Sequence, residues 1–176
     1  GQLDLALGNF NQAITLDPSD PLAYFNRGNV LNTLGQLDAA LISFNQAIEL
    51  APNYLDAWIN RGSVLSEMQR YEEALKSLDN AIALDPNRPD AWLNAGIIFN
   101  KLRHHEKALT ALDRAISLNP NLPDAWSNQG ITLHELKRYK DALNSYEKAM
   151  QLKPEMDFLL GNFVYTKMLI ADWEGL

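Results

Sequence analysis

Apolar and small residues follow two alternating helical patterns along the chain, and the pair returns every 34 residues. In one pattern, alanines recur at Ala6, Ala40, Ala74, Ala108 and Ala142, and again at Ala13, Ala47, Ala81, Ala115 and Ala149. Between them stand the bulky residues Phe10, Phe44, Leu78, Leu112 and Tyr146. Spacings of four and three place such a set on one helical face, where the small residues admit a neighbouring helix and the large one fills the gap. The other pattern has the same logic in Trp58, Gly62 and Leu65. Its glycines, Gly62, Gly96 and Gly130, fall mid-helix at a cost of roughly 1 kcal/mol each relative to alanine, which predicts that another helix passes close to them.

Breaks separate the two patterns. Pro18, Pro52, Pro86, Pro120 and Pro154 close the second helix of each pair. Pro21, Pro89 and Pro123 suit the first turn of the next helix, where a missing N–H costs nothing, and Asp20 is placed to cap one of them. The segments Gly35-Gln36, Gln69-Arg70, His104-His105 and Lys137-Arg138 mark the turn inside each pair. The string Asp56-Ala57-Trp58-Ile59-Asn60-Arg61-Gly62 returns as Asp90-Ala91-Trp92-Leu93-Asn94-Ala95-Gly96 and as Asp124-Ala125-Trp126-Ser127-Asn128-Gln129-Gly130, with a looser copy from Leu22 to Gly28. A fixed period of this length signals an all-α solenoid built of helix–turn–helix units.

Trp58, Gly62, Ala74, Leu78, Ala81 and Pro86 resemble the pattern of the tetratricopeptide repeat. The resemblance covers nearly the whole chain and implies a right-handed α-solenoid, or superhelix, whose first helices line a concave groove. It places complete units at 21–54, 55–88, 89–122 and 123–156. Residues 1–20 read as the second helix of a truncated unit, because Gly1-Gln2-Leu3-Asp4 repeats as Gly35-Gln36-Leu37-Asp38; the expectation is that the chain is part of something longer. Residues 157–176 read as one further first helix that caps the stack or joins it to another domain, with Val164 in the place of the glycine and Lys167 in that of an apolar residue.

Composition narrows the function. A net charge of −7 argues against general binding to a nucleic-acid backbone. No apolar run is long enough to span a membrane, and the absence of cysteine removes disulfides and thiolate metal sites. His104, His105 and His134 have no metal-ligand spacing with acids, and neither a phosphate loop nor a nucleophile elbow occurs, so no cofactor, metal or catalytic residue is expected. The expectation is a cytoplasmic, protein-facing module.

Asn26, Asn60, Asn94, Asn128 and Asn162 also keep the 34-residue period, two residues after the aromatic or leucine position. That offset turns them away from the packed aromatic, toward the expected groove. A carboxamide both donates and accepts, so a row of them can hold an extended main chain without reading its side chains. The competing reading is a polar contact between helices. Asp56, Asp90 and Asp124 form a shorter row that either meets a peptide's hydroxyl or basic side chains or simply complements the helix dipole.

The residues before the asparagines, Phe25, Ile59, Leu93 and Ser127, lack the lysine of the carboxylate clamp found in chaperone-docking repeats. The asparagine row, with aspartates four residues ahead of it, instead resembles the superhelix of O-linked N-acetylglucosamine transferases. In that family the row holds the acceptor polypeptide's backbone and the aspartates meet its side chains. Lys167-Met168-Leu169-Ile170-Ala171-Asp172-Trp173 is similar to the segment linking repeats to the catalytic domain in bacterial relatives, although Ala171 replaces an expected cysteine and Leu22 interrupts the aspartate row. The resemblance implies a peptide-binding scaffold that recruits substrate for a larger glycosyltransferase-like protein. The alternative is a structural adaptor that assembles complexes, or self-associates through exposed end helices.

Overall fold

The computed structural model describes residues 1–174, and within them every regular element is an α-helix. The order is α1 (Gln2–Leu16), α2 (Pro21–Thr33), α3 (Leu37–Leu50), α4 (Leu55–Glu67), α5 (Tyr71–Leu84), α6 (Pro89–Lys101), α7 (His105–Leu118), α8 (Pro123–Glu135), α9 (Tyr139–Leu152) and α10 (Asp157–Glu174). The side chains of residues 157–158 and 172–174 lie outside the described set, as does the part of the expected tail motif on Asp172 and Trp173.

The breaks act as the residue chemistry requires. Pro21, Pro89 and Pro123 occupy the first turns of α2, α6 and α8. Asp20 caps α2 by accepting the Leu22 N–H at 2.9 Å. Each second helix stops two residues before its proline, at Leu16, Leu50, Leu84, Leu118 and Leu152. Inside each pair the first helix ends on a left-handed residue: Gly35 (φ 71°), Gln69 (59°), Arg103 (57°) and Lys137 (60°). The next N–H then folds back on the helix, from Gln36 to Leu31 C=O at 2.9 Å and from Arg70 to Leu65 C=O at 2.8 Å. His104 to Phe99 and Arg138 to Leu133 repeat this at 2.8 Å. Such a closure satisfies carbonyls that would otherwise be stranded. In the third pair the left-handed residue is Arg103, one position ahead of the His104-His105 dipeptide expected to form the turn.

The chain forms two compact units, Gly1–Pro86 and a second beginning at Asn87. In the first, α2 packs on α3 and α4 on α5, with α1 against α2 and α3 against α4. Its interior is Ala40, Phe44, Ala47, Ala57, Val64, Leu65, Ala74, Leu78 and Ala81, all fully buried. In the second, α6 packs on α7, α7 on α8, α8 on α9 and α9 on α10. Its fully buried residues include Ala91, Ala108, Leu112, Ala115, Ala125, Ala142, Ala149 and Leu159, with the polar Thr132 and Thr166.

The mid-helix glycines are explained by contact. A Cβ on Gly28 would lie 2.7 Å from Phe44, on Gly62 3.0 Å from Leu78, on Gly96 2.6 Å from Leu112 and on Gly130 2.4 Å from Tyr146. The second helix of each pair therefore presses its bulky residue onto the bare backbone of the first. Val164, at the corresponding place in α10, is 47% exposed. Lys167 likewise leaves the interior and sets its ammonium 4.6 Å from the centre of the Phe163 ring.

Candidate peptide-binding face

The five asparagines all lie on first helices: Asn26 on α2, Asn60 on α4, Asn94 on α6, Asn128 on α8 and Asn162 on α10. Each is half-buried, at the border between packing and solvent. In the first unit Asn26 and Asn60 occupy the same place on α2 and α4, which touch; in the second, Asn94, Asn128 and Asn162 do so on α6, α8 and α10. Asn94 has a partner within the protein, and Asn60 and Asn128 also use part of their hydrogen-bonding capacity there. The Asn60 amide donates to Asn29 Oδ1 at 2.7 Å, and the Asn128 amide donates to the Asp124 carbonyl of its own helix at 2.8 Å. The carboxamide oxygens of Asn26, Asn60, Asn128 and Asn162 accept nothing among the described residues. The face thus offers acceptors more freely than donors, which suits the N–H groups of a passing main chain.

Asp56, Asp90 and Asp124 stand in the first turns of α4, α6 and α8, where they complement the helix dipole. Asp90 also accepts from Arg88 at 3.0 Å, and Asp124 is exposed. The tryptophans expected in the core are only half-buried. Their rings cover the loop ahead of them, with Trp58 Nε1 donating to Pro52 C=O and Trp126 Nε1 to Pro120 C=O, each at 2.8 Å.

Sequence reasoning missed a second polar arrangement. In three units the residue before the mid-helix glycine reaches a serine on the partner helix: Arg27 Nε donates to Ser43 Oγ at 3.0 Å, and Arg61 donates to Ser77. Gln129 Oε1 accepts from Ser145 Oγ at 2.7 Å. On the other side Arg61 Nε donates to Asn45 at 2.6 Å and Gln129 Nε2 to Asp113 at 2.6 Å. Burial pushes the Arg61 guanidinium below its ordinary pKa, partly opposed by the Glu73 carboxylate. The remaining unit has alanine at both places, Ala95 and Ala111, so the pair is exchanged as a pair. A constant separation of 16 residues was the available signal.

The first helices are also tied to each other. Asn100 Nδ2 donates to Thr132 Oγ1 at 2.8 Å, and one unit on His134 Nδ1 and Thr166 Oγ1 meet at 2.9 Å. Thr166 Oγ1 donates to the Asn162 carbonyl at 2.7 Å, so the His134 nitrogen is the donor in that pair. Among the described residues no group of three or more His, Cys, Asp or Glu side chains could hold a metal ion. No helix there is long and apolar enough to cross a membrane.

Tetratricopeptide-repeat family models match residues 21–54 and 123–156, residues 59–123 and residues 1–35. The chain is a tetratricopeptide-repeat protein. Among the described residues the repeat fold is unaccompanied by a catalytic domain, and it is the fold of protein-interaction scaffolds. No curated protein matches the chain. Solved structures share its fold. YrrB, a TPR protein with an unusual peptide-binding site, is 26% identical over 91% of this chain and 82% of its own, with a TM-score of 0.74. MamA of Desulfovibrio magneticus is 25% identical over 89% of each chain, with a TM-score of 0.79. PilF of Pseudomonas aeruginosa reaches a TM-score of 0.83 at 22% identity, over 98% of this chain and 84% of that one.

Proposed function

We propose that this tetratricopeptide-repeat protein holds an extended polypeptide along its first helices through Asn26, Asn60, Asn94, Asn128 and Asn162. On this reading Asp56, Asp90 and Asp124 meet the polypeptide's side chains, and the repeats recruit substrate for a larger O-linked N-acetylglucosamine transferase-like protein. The observation that carries it is the set of half-buried carboxamide oxygens of Asn26, Asn60, Asn128 and Asn162, which have no acceptor role among the described residues. The peptide site named for YrrB, a relative of the same repeat class, supports a peptide as the occupant. Each backbone bond contributes on the order of 1 kcal/mol net, and ordering the peptide removes part of the sum, so binding is weak to moderate and tolerant of sequence.

The test is fluorescence anisotropy with a labelled, unstructured peptide rich in serine and threonine. The combined Asn60→Ala, Asn94→Ala and Asn128→Ala variant is expected to lose about tenfold or more in affinity, the equivalent of about 1.4 kcal/mol. Equal affinity in a variant with unchanged circular dichroism sinks the proposal. The transferase parentage has its own test in the coding sequence that follows Leu176: a nucleotide-sugar transferase domain supports it, and an immediate stop codon removes it. A second reading, self-association, draws on α1, which exposes Leu5 (68%) and Leu16 (79%). Light scattering across a concentration series decides between monomer and assembly.

A further inference from the structure

At the end of the third first helix the chain carries Lys101, Arg103 and His105. A crevice of about 270 Å³ there is lined by Asn100, Lys101, Arg103, His105, Ile131 and Glu135. Its basic side chains come from three successive local structures: Lys101 from the last turn of α6, Arg103 from the left-handed residue that ends it, and His105 from the start of α7. Among the described residues neither Lys101 nor Arg103 forms an ion pair or side-chain hydrogen bond, and neither does Glu135 across the crevice. His105 Nδ1 is buried without a partner. A proton there would be a desolvated, unsatisfied donor, so Nε2, the nitrogen that remains accessible, is the one placed to donate. The first turn of α7 adds backbone N–H groups that no side chain caps, with Glu106 as the acid among them.

The corresponding places in the other units do not repeat this chemistry. They hold Thr33, Gly35 and Leu37, then Glu67, Gln69 and Tyr71, then Glu135, Lys137 and Tyr139. A position that architecture required would be filled alike in every unit, as the glycines and alanines are. The geometry points to a specificity site: we infer that this crevice takes an anionic side chain, a carboxylate or a phosphate monoester, of the bound polypeptide. Lys101 and Arg103 supply the charge, His105 Nε2–H a further donor, and Glu135 admits one anion and opposes a second. Lys101 follows Asn94, and Glu135 follows Asn128, by seven residues, which returns to the same helical face about 10.5 Å further along. That is the span of about three extended residues, so one polypeptide crossing the face reaches both. The inference rests on the peptide-binding reading only in taking a polypeptide as the carrier of the anion.

Two measurements on the full chain test it. In the first, otherwise identical unstructured peptides carry glutamate, glutamine, phosphoserine or serine at one central position. Glutamate over glutamine, and phosphoserine over serine, are each expected to bind about three- to tenfold tighter, the range of a charge-assisted contact at an open site. The combined Lys101→Gln and Arg103→Gln variant abolishes both preferences, whereas Glu135→Gln enlarges them. The glutamate and phosphoserine arms separate the two sources of anion. In the second, acetate and inorganic phosphate are titrated separately and followed by nitrogen–proton NMR. Saturable shifts at Arg103, His105, Glu106 and Lys107 that vanish in the doubly neutralised variant support the site even if no peptide binds, which would condemn the asparagine reading alone. Preferences unchanged by neutralising Lys101 and Arg103, or anion shifts that persist in that variant, overturn the inference.

Discussion

Replacing Gly130 by alanine isolates the contact that organises every helix pair. In an open helix interior the change is favourable by about 1 kcal/mol, because alanine loses less backbone entropy than glycine. Here the added methyl would stand 2.4 Å from Tyr146 Cε1 and 2.5 Å from Cδ1. Carbon atoms settle at about 3.5–4.0 Å, so the ring must retreat by more than about 1 Å. Tyr146 is 1% exposed and packs among Leu109, Leu133, Ala142, Ala149, Met156 and Leu159, which leaves it nowhere to go. Overpacking of this kind costs about 1–3 kcal/mol, occasionally more, and at so short an approach the upper end applies. The net expectation for Gly130→Ala is a destabilisation of about 1–2 kcal/mol. Gly96→Ala, at 2.6 Å from Leu112, follows it, and Gly62→Ala, at 3.0 Å from Leu78, is close to neutral. Gly8→Ala and Gly161→Ala meet nothing within 4 Å and gain about 1 kcal/mol each. Urea denaturation gives the order, and hydrogen exchange on α8 and α9 shows where the loss falls. The Gly130→Ala, Tyr146→Ala double variant should lose less than the sum of the two single variants, through a favourable coupling of about 1 kcal/mol or more. A Gly130→Ala protein as stable as Gly161→Ala would rule out the steric explanation of these glycines.

The left-handed helix ends make a second prediction: Gln69→Gly, Arg103→Gly and Lys137→Gly each stabilise by about 0.5–1 kcal/mol, while Gly35→Ala costs about 1 kcal/mol, read by thermal melting. Tyr146 has its pKa pushed up to about 12 by burial, with the Glu135 charge adding to it. The folded value lies above the ordinary 10.0, so that contribution to stability is complete below pH 10 and is lost as pH climbs toward 12. Stability measured across that window should fall for the natural chain, and less steeply for Tyr146→Phe. Ser77→Ala strands the Arg61 donors and should cost about 1–2 kcal/mol in urea denaturation. Adding Arg61→Ala should return part of it, since Ala95 with Ala111 is the solution the third unit already uses.

The parts of the fold legible in the sequence are those with one physical solution. A glycine in mid-helix admits little except a close neighbour, and a proline at a fixed offset admits little except a helix end, so the roles of Gly130 and Pro120 follow from their spacing. Side-chain choice among several local partners does not. Asn60 and Asn128 occupy equivalent positions, yet one turns to Asn29 on the preceding first helix and the other to the Asp124 carbonyl behind it. The difference follows the neighbour: Asn60 faces an asparagine at position 29, whereas its counterpart near Asn128 is the apolar Ile97. The links from Arg61 to Ser77 and from Gln129 to Ser145 stay hidden in the sequence because they need the register of two packed helices. Periodicity alone assigns Trp58 to the core, but its indole N–H needs the Pro52 carbonyl, which holds the ring at the edge.

Peptide binding through the asparagine row is tested most sharply by watching the asparagines themselves. Their side-chain amide resonances can be followed by NMR while a short unstructured peptide rich in serine and threonine is titrated into the natural chain. A main chain held along the first helices gives saturable shifts at Asn26, Asn60, Asn94, Asn128 and Asn162, sharing one dissociation constant. Shifts confined to the second helices, with these five carboxamides unmoved at saturation, would contradict it.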